Sequence, residues 1–187
     1  NFTNRYRCSD GSYRYIEWRS HPRENLIFAA ARDITQRIQS EQELKESEMR
    51  YRMLFENMNA GFALHEMIYD KEGNPVDYRY IEVNPMFEKL TGGKGDDFIG
   101  HTIKEMMPNT EQYWIETYGK VAETGESTAY QNYAREIGKY FDTFVFSPEK
   151  GKFAVFFVDI TERKQAEIAK EAAQKQLESK NKELEQL

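Results

Sequence analysis

The chain has 187 residues and a formal net charge of −6, and 31% of its residues are charged. This acidic balance argues against a nucleic-acid partner, which normally requires a basic face. The longest apolar runs, 26–31 and 153–158, are too short to cross a bilayer, and no signal-peptide pattern opens the sequence. With Cys8 as its one cysteine, the sequence offers neither a disulfide framework nor a thiolate metal cluster. We therefore expect a cytoplasmic location, and a membrane anchor elsewhere in a larger parent protein remains compatible with it.

Three strands are predicted in the first part of the chain, over 2–8, 13–21 and 26–32. Turn-rich segments separate them. We expect the apolar side chains of one face to be those that a helical layer would cover, namely Ile16, Trp18, Leu26 and Phe28. Because three strands alone do not complete an α+β domain, 1–33 is interpreted as the C-terminal part of a truncated first domain.

A helical pattern follows over 34–58, where Ile34 and Ile38 lie four apart and Leu44, Tyr51 and Met58 lie seven apart. This segment is predicted to be a connector helix that leads into a second domain. A single helix outside a core cannot bury such an apolar stripe alone. We therefore expect a homodimer formed through the connector helices.

The next segment predicts a complete domain over 59–161. A hairpin is expected from strands over 60–69 and 76–83 around a polar turn. Asn84 and Pro85 then open a helix, as N-cap and first helical residue, and Gly92 ends it. Further helices are predicted over 97–107 and 111–124, and further strands over 128–135, 139–147 and 152–158. This order predicts the α+β class: a five-stranded antiparallel sheet with helices on one face, flanked by long connector helices.

The last segment, 162–187, contains no Gly or Pro and is rich in Ala, Glu, Lys, Gln and Leu, which predicts an output connector helix. Apolar residues recur near a seven-residue spacing, as in a coiled coil. Arg163, Lys170 and Lys180 interrupt the same seam, so the coiled-coil pattern is partial within this stretch.

One short motif occurs twice, as Asp-Ile-Thr-Gln-Arg over 33–37 and as Asp-Ile-Thr-Glu-Arg over 159–163. Each copy stands between an apolar strand and a charged helix. The match extends upstream, where 11–15 resembles 138–142 and aligns Tyr13 with Tyr140. Self-similarity over so long a period indicates duplicated domains.

The motif can cap the helix that leaves each sheet. Asp159 is placed to accept from the backbone N–H of Thr161 or Glu162, and Glu162 can reach back to the backbone N–H of Asp159, as in a capping box. Asp33 and Gln36 repeat the arrangement in the first copy. Since this cap lies where the last strand becomes the output helix, strain in the sheet could shift the helix; a plain structural cap is the alternative.

Together these features resemble a PAS domain with its C-terminal PAC segment. The resemblance rests on Val83-Asn84-Pro85-x-Phe87-x-x-Leu90-Thr91-Gly92 and on the Asp-Ile-Thr exit. It covers 51–163 in full and 1–37 as a truncated copy. It implies a non-enzymatic sensory module of a bacterial sensor histidine kinase or diguanylate cyclase, since segment 180–187 is similar to the connectors that precede both outputs.

The resemblance also assigns candidate sites. It implies a signal-exit motif of Asp159, Thr161, Arg163, Asp33, Thr35 and Arg37. By family analogy, a ligand pocket would be lined by Phe62, Leu64, Met106, Tyr113, Trp114, Tyr118, Phe144 and Phe157, which could equally be ordinary core. No metal site is predicted, because neither His65 nor His101 has a partner at ligand spacing.

The cofactor is unknown from the sequence. Haem-binding relatives carry a histidine on the long helix, and 111–124 contains none. Photoactive flavin-binding relatives carry a reactive cysteine in the helical block, whereas Cys8 lies in the first module. The resemblance therefore argues against haem and cysteinyl-flavin and leaves a small organic ligand, a redox-silent role or pure dimerisation.

Two functional classes follow: a sensor or signal-relay module that acts on a kinase or cyclase domain of the same polypeptide, and a structural dimerisation module that binds nothing. An enzyme is disfavoured, because the sequence shows no Gly-rich phosphate loop, no Ser or Cys nucleophile near a His and no inward pair of acids.

Overall fold

The computed structural model describes residues 2–135 and 137–185 and, over 182–185, the helical backbone only. The chain divides into two compact units, Asn1–Leu54 and Phe55–Leu187.

The first unit contains an antiparallel three-stranded sheet in the order β1-β2-β3. Its strands are β1 (Phe2–Arg7), β2 (Tyr13–Arg23) and β3 (Leu26–Asp33). Strand β2 runs two residues further than predicted, so the predicted turn shortens to Glu24 and Asn25, and Glu24 adopts a φ of 55°.

The predicted face of this small sheet is wrong. Directly opposed residues of antiparallel strands share a face, and Trp18 lies opposite Ala31 whereas Phe28 lies opposite His21. Trp18 and Phe28 are therefore on opposite faces, because His21, the partner of Phe28, stands an odd number of positions, three, from Trp18 on the same strand. Trp18 packs instead against Phe2, with ring centroids 6.4 Å apart, and Phe28 is exposed.

Helix α1 (Thr35–Asn57) follows β3 and buries none of its residues. It carries exposed apolar side chains at Leu44, Tyr51 and Leu54. The helix matches the predicted connector to within a residue at each end.

The second unit is built on an antiparallel five-stranded sheet in the order β5-β4-β8-β7-β6, which confirms the predicted fold class. Its strands are β4 (Gly61–Tyr69), β5 (Pro75–Val83), β6 (Thr128–Ala134), β7 (Lys139–Phe146) and β8 (Lys152–Asp159). The chain enters at β4 and leaves at β8, so its first and last strands are neighbours at the centre of the sheet.

Four helices connect β5 to β6. They are α2 (Pro85–Thr91), α3 (Gly95–Phe98), α4 (Ile103–Met106) and α5 (Gln112–Thr124). The single helix predicted over 97–107 is wrong, since Gly100 at a φ of 87° separates α3 from α4. Strand β5 imposes this break, because the backbone of Tyr80 bonds to both Gly100 and His101.

Asn84 fixes the helical layer to the sheet. Its side chain caps α2 by accepting from the N–H of Phe87 at 2.9 Å. The same side chain accepts from the N–H of Phe62 and donates to the carbonyl of Ala60, both at 2.9 Å. Since Asn84 is only 1% exposed, these backbone groups satisfy an amide that is itself buried.

The core lies between the helices and one face of the sheet. It contains aliphatic side chains and a large set of rings, among them Tyr78, Tyr80, Phe87, Phe98, Tyr118 and Phe153. His65 stands in the middle of these rings, stacked on Phe153 with centroids 4.6 Å apart. Burial lowers the pKa of His65 to about 3, so the imidazole is neutral near pH 7.

The final helix, α6, spans Thr161–Glu185. The last two residues of the predicted 162–187 connector lie outside the described part of the chain. None of the described helices combines the length and the apolar composition of a membrane span.

Candidate functional site

A cleft of about 430 Å³ opens in the second unit between the start of α5, the segment before it and strand β6. Its lining residues are Tyr78, Ile103, Met107, Asn109, Thr110, Glu111, Trp114, Tyr118, Tyr130, Asn132, Tyr133, Ala134 and Arg135. Ligand sites of this size are common in proteins.

A pair of hydroxyl groups joins the two walls of the cleft. The side chain of Tyr118 on α5 hydrogen-bonds that of Tyr130 on β6, and Tyr130 lies opposite Thr143 on β7. Burial raises the pKa of both Tyr118 and Tyr130, so both phenols stay neutral at physiological pH. The α5 helix is thereby linked through hydroxyl groups to β6.

Two buried polar atoms in the described part of this unit have no hydrogen-bond partner. One is Oδ1 of Asn132, which lies on the helix-facing side of β6 and lines the cleft. The other is Nδ1 of His65, within the aromatic core. A buried acceptor without a donor is unfavourable by about 1–3 kcal/mol.

The structure divides the eight predicted pocket residues between the two faces of the sheet. Trp114 and Tyr118 line the cleft, and Met106 and Phe157 pack against the core on the same side. Tyr113 also lies on α5, but its side chain is 64% exposed. These five residues belong to the helix-facing side of the sheet or to the helices that cover it.

Phe62, Leu64 and Phe144 lie on the opposite face, which corrects their predicted placement. Phe62 packs against Phe156, with ring centroids 4.9 Å apart, and Leu64 shares that face by alternation along β4. Phe144 stacks on Phe146 and is 45% exposed. Strand alternation forces this outcome, because the neighbouring residues of β4 and β7 are the ones that enter the core.

Sequence reasoning missed the contribution of β6 to the cleft. Tyr130 and Asn132 point toward the helices, while Gln131 between them is exposed. The alternation of this strand, read together with its end at Arg135, would have indicated a cleft wall. Tyr78, on the neighbouring hairpin, was missed for the same reason.

The second candidate site is the start of α6, which we call the second clasp: Tyr140, Asp159, Ile160 and Thr161. The N–H of Ile160 donates to the carbonyl of Tyr140 at 2.9 Å. The N–H of Tyr140 donates to the hydroxyl of Thr161 at 3.0 Å, and the N–H of Thr161 donates to Asp159 Oδ1 at 2.9 Å. Both backbone groups of one strand residue thus hold the first turn of the helix.

The first clasp, formed by Tyr15, Asp33, Ile34 and Thr35, repeats this geometry. Ile34 donates to the carbonyl of Tyr15 at 2.9 Å, and Tyr15 donates to the hydroxyl of Thr35 at 2.8 Å. The N–H of Thr35 donates to Asp33 Oδ1 at 3.0 Å. The two motifs are therefore equivalent in structure as well as in sequence.

The clasps correct the upstream alignment. The sequence match aligned Tyr13 with Tyr140, but the hydrogen bonds make Tyr15 the counterpart of Tyr140. The strand register agrees, because Ile16 lies opposite Asp33 as Phe141 lies opposite Asp159. Gly11 stands four residues before Tyr15, whereas Gly138 stands two residues before Tyr140, so the glycines that guided the alignment are not equivalent.

The predicted capping box is wrong in detail. Asp159 and Asp33 do accept from the threonine N–H, but the described hydrogen bonds contain no reciprocal bond from Glu162 or Gln36. The additional bond in each copy comes from the adjacent strand. The backbone N–H of Tyr140 donates to the hydroxyl of Thr161, and that of Tyr15 donates to the hydroxyl of Thr35.

The acidic residue of each clasp is paired with a cation from the preceding strand. Asp159 lies 3.1 Å from Lys139, and Asp33 lies 3.2 Å from Arg14. Hydrogen bonds from Thr161, with a smaller contribution from Lys139, lower the pKa of Asp159. Thr35 and then Arg14 lower the pKa of Asp33 in the same way. Both carboxyl groups are therefore held in the charged form.

The arginines of the two motifs differ. Arg163 lies 3.7 Å from Asp142 on β7, whereas Arg37 lies 3.6 Å from Glu41 of its own helix. Both pairs are exposed, and exposed pairs contribute little to stability. The contact of Arg163 nevertheless adds a second tie between α6 and β7.

The cleft and the second clasp meet through the β6–β7 pair. Tyr133, the last ring of β6, lies opposite Tyr140, with centroids 4.7 Å apart. Tyr130 lies opposite Thr143 in the same ladder. A displacement of β6 by a bound molecule would therefore act on the strand that holds the start of α6.

No group of three or more His, Cys, Asp or Glu side chains within 2–135 and 137–185 is arranged to hold a metal ion.

The comparison with protein families agrees with this architecture. Residues 49–122 match the family model described as PAS domain. These residues include the β4–β5 hairpin, the Asn84 cap and helices α2 to α5 up to its last turns. The matched segment, which is less than half of the chain, is thus similar in sequence to PAS domains.

A curated relative is the methyl sulfide methyltransferase-associated sensor of Methanosarcina acetivorans, which is 28% identical over 150 residues. The match covers 76% of this chain and 14% of the relative, so the chain corresponds to a small part of that protein.

Solved PAS domains are similar to the chain at low identity. The PAS domain of the HTR-like protein from Haloarcula marismortui is 19% identical, with a TM-score of 0.46, over 65% of this chain and 98% of that one. The PAS domain of BvgS from Bordetella pertussis is 16% identical, with a TM-score of 0.46, over 70% of this chain and 98% of that one.

Proposed function

We propose that the second unit is a sensory and signal-relay module that transmits occupancy of the cleft to helix α6. The observation that carries this proposal is the second clasp, because the first turn of α6 is held by both backbone groups of Tyr140. Tyr140 in turn packs on Tyr133 beside the cleft. A ligand that moves β6 would change the position or order of the output helix.

The Thr161 hydroxyl offers a specific test. Replacing Thr161 by Val keeps the shape of the side chain but leaves the N–H of Tyr140 without its acceptor. Thr35→Val makes the same change in the first clasp and serves as the matched control. In the full-length parent protein, Thr161→Val should alter basal output and abolish its response to stimulus, with the PAS domain still folded.

Two results would count against the relay. If both variants leave the regulated output at wild-type levels, the clasp is a structural cap only. If Thr35→Val and Thr161→Val change output equally, the cleft beside the second clasp has no special part in signalling.

The parent protein is proposed to be a sensor histidine kinase. The charged connector of α6 supports an output domain that continues the helix, and a diguanylate cyclase is the alternative output for the same reason. A histidine phosphorylated from ATP in the parent protein would support the kinase, while synthesis of cyclic di-GMP would support the cyclase.

A structural dimerisation module is the second candidate function, favoured by the exposed apolar side chains of α1. We propose that a homodimer forms through the connector helices. Light scattering should give twice the monomer mass for the intact chain, and replacing both Leu44 and Leu54, which are 61% and 64% exposed, with Glu should return the monomer. A monomeric wild-type chain at high concentration would contradict this proposal.

A further inference from the structure

We propose that the arginine-rich face of the first sheet docks helix α1 of a second copy of the chain. This inference rests on the homodimer proposed above and names the surface that receives each connector helix. It follows from three properties of the first unit: the distribution of charge over its strands, the dimensions of its sheet and the charge of α1.

The arginines of the first sheet are concentrated on one face. Side chains alternate between the faces along a strand, and directly opposed residues share a face. Arg5 of β1 lies opposite Tyr15 of β2. Arg32 of β3 lies opposite Glu17, two positions further along β2. Alternation adds the other members, so that five exposed arginines form what we call the basic face: Arg5, Arg7, Arg19, Arg23 and Arg32.

Few acidic side chains balance the basic face. Glu17 shares this face and lies 3.1 Å from Arg19. Arg5 stacks over the ring of Tyr13, 4.4 Å from its centroid. The ion pairs of the described residues include none of the other three arginines of the face, Arg7, Arg23 and Arg32. Because like charges on one face repel one another, an acidic surface placed against it would be stabilising.

Apolar side chains accompany the arginines near the β2–β3 turn. Phe28 lies opposite His21, and Leu26 lies opposite Arg23, so both belong to the basic face. Phe28 is 59% exposed and Leu26 is 65% exposed. The complementary surface must therefore present apolar as well as acidic groups.

The dimensions of the basic face suit one helix. Adjacent strands lie about 4.8 Å apart, so the axes of the two outer strands are about 10 Å apart. An α-helix with its side chains is about 10–12 Å in diameter. The 11 residues of β2 span about 36 Å, and the 23 residues of α1 span about 35 Å. A single helix of this length, lying along the strands, would cover the face.

Helix α1 has the complementary composition. Four of the eight residues over 41–48 are glutamates and one is a lysine. Glu41, Leu44 and Glu48 follow the i, i+3, i+7 spacing of one helix face, and Leu44 is 61% exposed. The helix buries none of its residues in its own chain. In a two-fold dimer, each copy would place this face of its helix on the sheet of the other.

A parallel coiled coil of two α1 helices fits the sequence less well. With Leu44 at position a of a heptad, Ser40 and Ser47 fall at the d positions, where a coiled coil requires apolar residues. Glu43 at position g would lie beside Glu48 at position e of the other helix, and like charges repel there. Docking on the basic face places Glu48 against arginines instead.

The test reverses the charge of each surface in the intact chain. Arg7→Glu with Arg32→Glu changes the basic face, and Glu41→Lys with Glu48→Lys changes the helix. Each pair of substitutions should raise the dimer dissociation constant about tenfold or more in sedimentation equilibrium, since the two-fold axis repeats every contact. Combining the two pairs should restore the wild-type affinity, because the facing charges are again opposite. The wild-type dimer should also weaken as the salt concentration rises.

Glu43→Lys with Glu46→Lys is the matched control. It makes the same change in net charge on α1, but on residues outside the face that contains Leu44. The control should leave the dissociation constant at the wild-type value, whereas a parallel coiled coil would be strengthened by the loss of the Glu43–Glu48 repulsion. Trp18 fluorescence in a Trp114→Phe background shows that the first sheet remains folded in each variant.

A dimer that tolerates both charge reversals, or that is not restored when they are combined, would overturn the docking proposal and leave the homodimer standing. A monomeric wild-type chain would contradict both. A monomer that binds phosphatidylserine vesicles, and loses them in the Arg7→Glu, Arg32→Glu protein, would assign the basic face to a membrane and overturn the proposal as well. The relay is tested separately by Thr161→Val in the parent protein.

Discussion

The two clasps have the same hydrogen bonds but stand on different sheets. The first closes a three-stranded sheet whose β3 side chains are exposed, and the second closes a five-stranded sheet with a buried core. The same hydrogen bonds thus form at the end of an exposed strand and at the end of a largely buried one.

The two clasps differ in the residues that contact them. Tyr140 of the second clasp packs on Tyr133, beside the cleft, and Arg163 pairs with Asp142 of β7. In the first clasp, Arg37 pairs within its own helix. The local motif therefore holds the helix in both units, whereas the ring contact that joins a clasp to the cleft lining is made by Tyr140 and Tyr133 of the second unit.

The two tryptophans allow this comparison to be tested, because Trp18 lies in the first unit and Trp114 in the second. In a Trp18→Phe background, fluorescence follows the second unit. In a Trp114→Phe background, it follows the first unit.

The largest expected effect is that of Asn84→Ala. The change leaves the N–H groups of Phe62 and Phe87 and the carbonyl of Ala60 without partners inside the protein. We expect the free energy of unfolding of the second unit to fall by about 3 kcal/mol, with no change in the Trp18 signal. Urea unfolding measures both. The exposed Asn109→Ala is the control, and an equal effect of the two variants would show that the Asn84 bonds are not what holds the helical layer.

A smaller effect is expected from acid acting on His65. Its pKa of about 3 in the folded chain lies below the ordinary value of 6.5, so below pH 6.5 the unfolded state binds a proton that the folded state does not. Stability of the second unit should therefore decrease as the pH falls from 7, by about 2 kcal/mol at pH 5. This window lies above the titration of the clasp carboxyl groups.

His65→Phe should flatten this pH dependence, because a ring of similar shape replaces the titrating group among Tyr78, Tyr80 and Phe153. His101→Gln, at an exposed site, should leave it intact. Unfolding curves recorded from pH 5 to 7 give the free energy of unfolding of each variant as a function of pH. If its slope against pH is unchanged in His65→Phe, the acid sensitivity belongs to another group.

The smallest effect is expected at the clasps themselves. Asp159→Ala should lower the stability of the second unit by about 0.5–2 kcal/mol, and Asp33→Ala should affect the first unit alone. Because hydrogen bonds lower the pKa of Asp159, its contribution is present above the ordinary aspartate pKa and is lost as the pH falls through the lowered value. The wild-type and Asp159→Ala proteins should therefore have the same free energy of unfolding of the second unit in strongly acidic solution. A difference that persists there would show that the carboxylate charge is not the cause.

Local signals explain how much of this structure was predictable. The order of the elements and the Asn84 cap follow from turn residues, helix caps and apolar periodicity, all of which lie within a few residues of one another. The connector helix and the Asp-Ile-Thr exits were predictable for the same reason.

The faces of the strands were not predictable, because both faces of the central strands are apolar. Along β4, Phe62 and Leu64 are as hydrophobic as Ala63 and Met67, so alternation does not show which set enters the core. The break between α3 and α4 was missed because it depends on Tyr80, a residue distant in sequence. The strand side of each clasp was missed because backbone groups carry it, and those leave no signal in the sequence.

This last property bears on how such proteins can be assembled during evolution. The strand in each clasp contributes one N–H and one carbonyl, which almost any residue at that position would provide. A recombination event just before the Asp-Ile-Thr segment would thus transfer the aspartate and threonine side chains of the clasp together with the helix. The end of a strand in a different sheet could then form the same hydrogen bonds with its backbone. Copies of the unit could be added to or removed from a polypeptide at this point, and each new junction would retain the hydrogen bonds of the clasp.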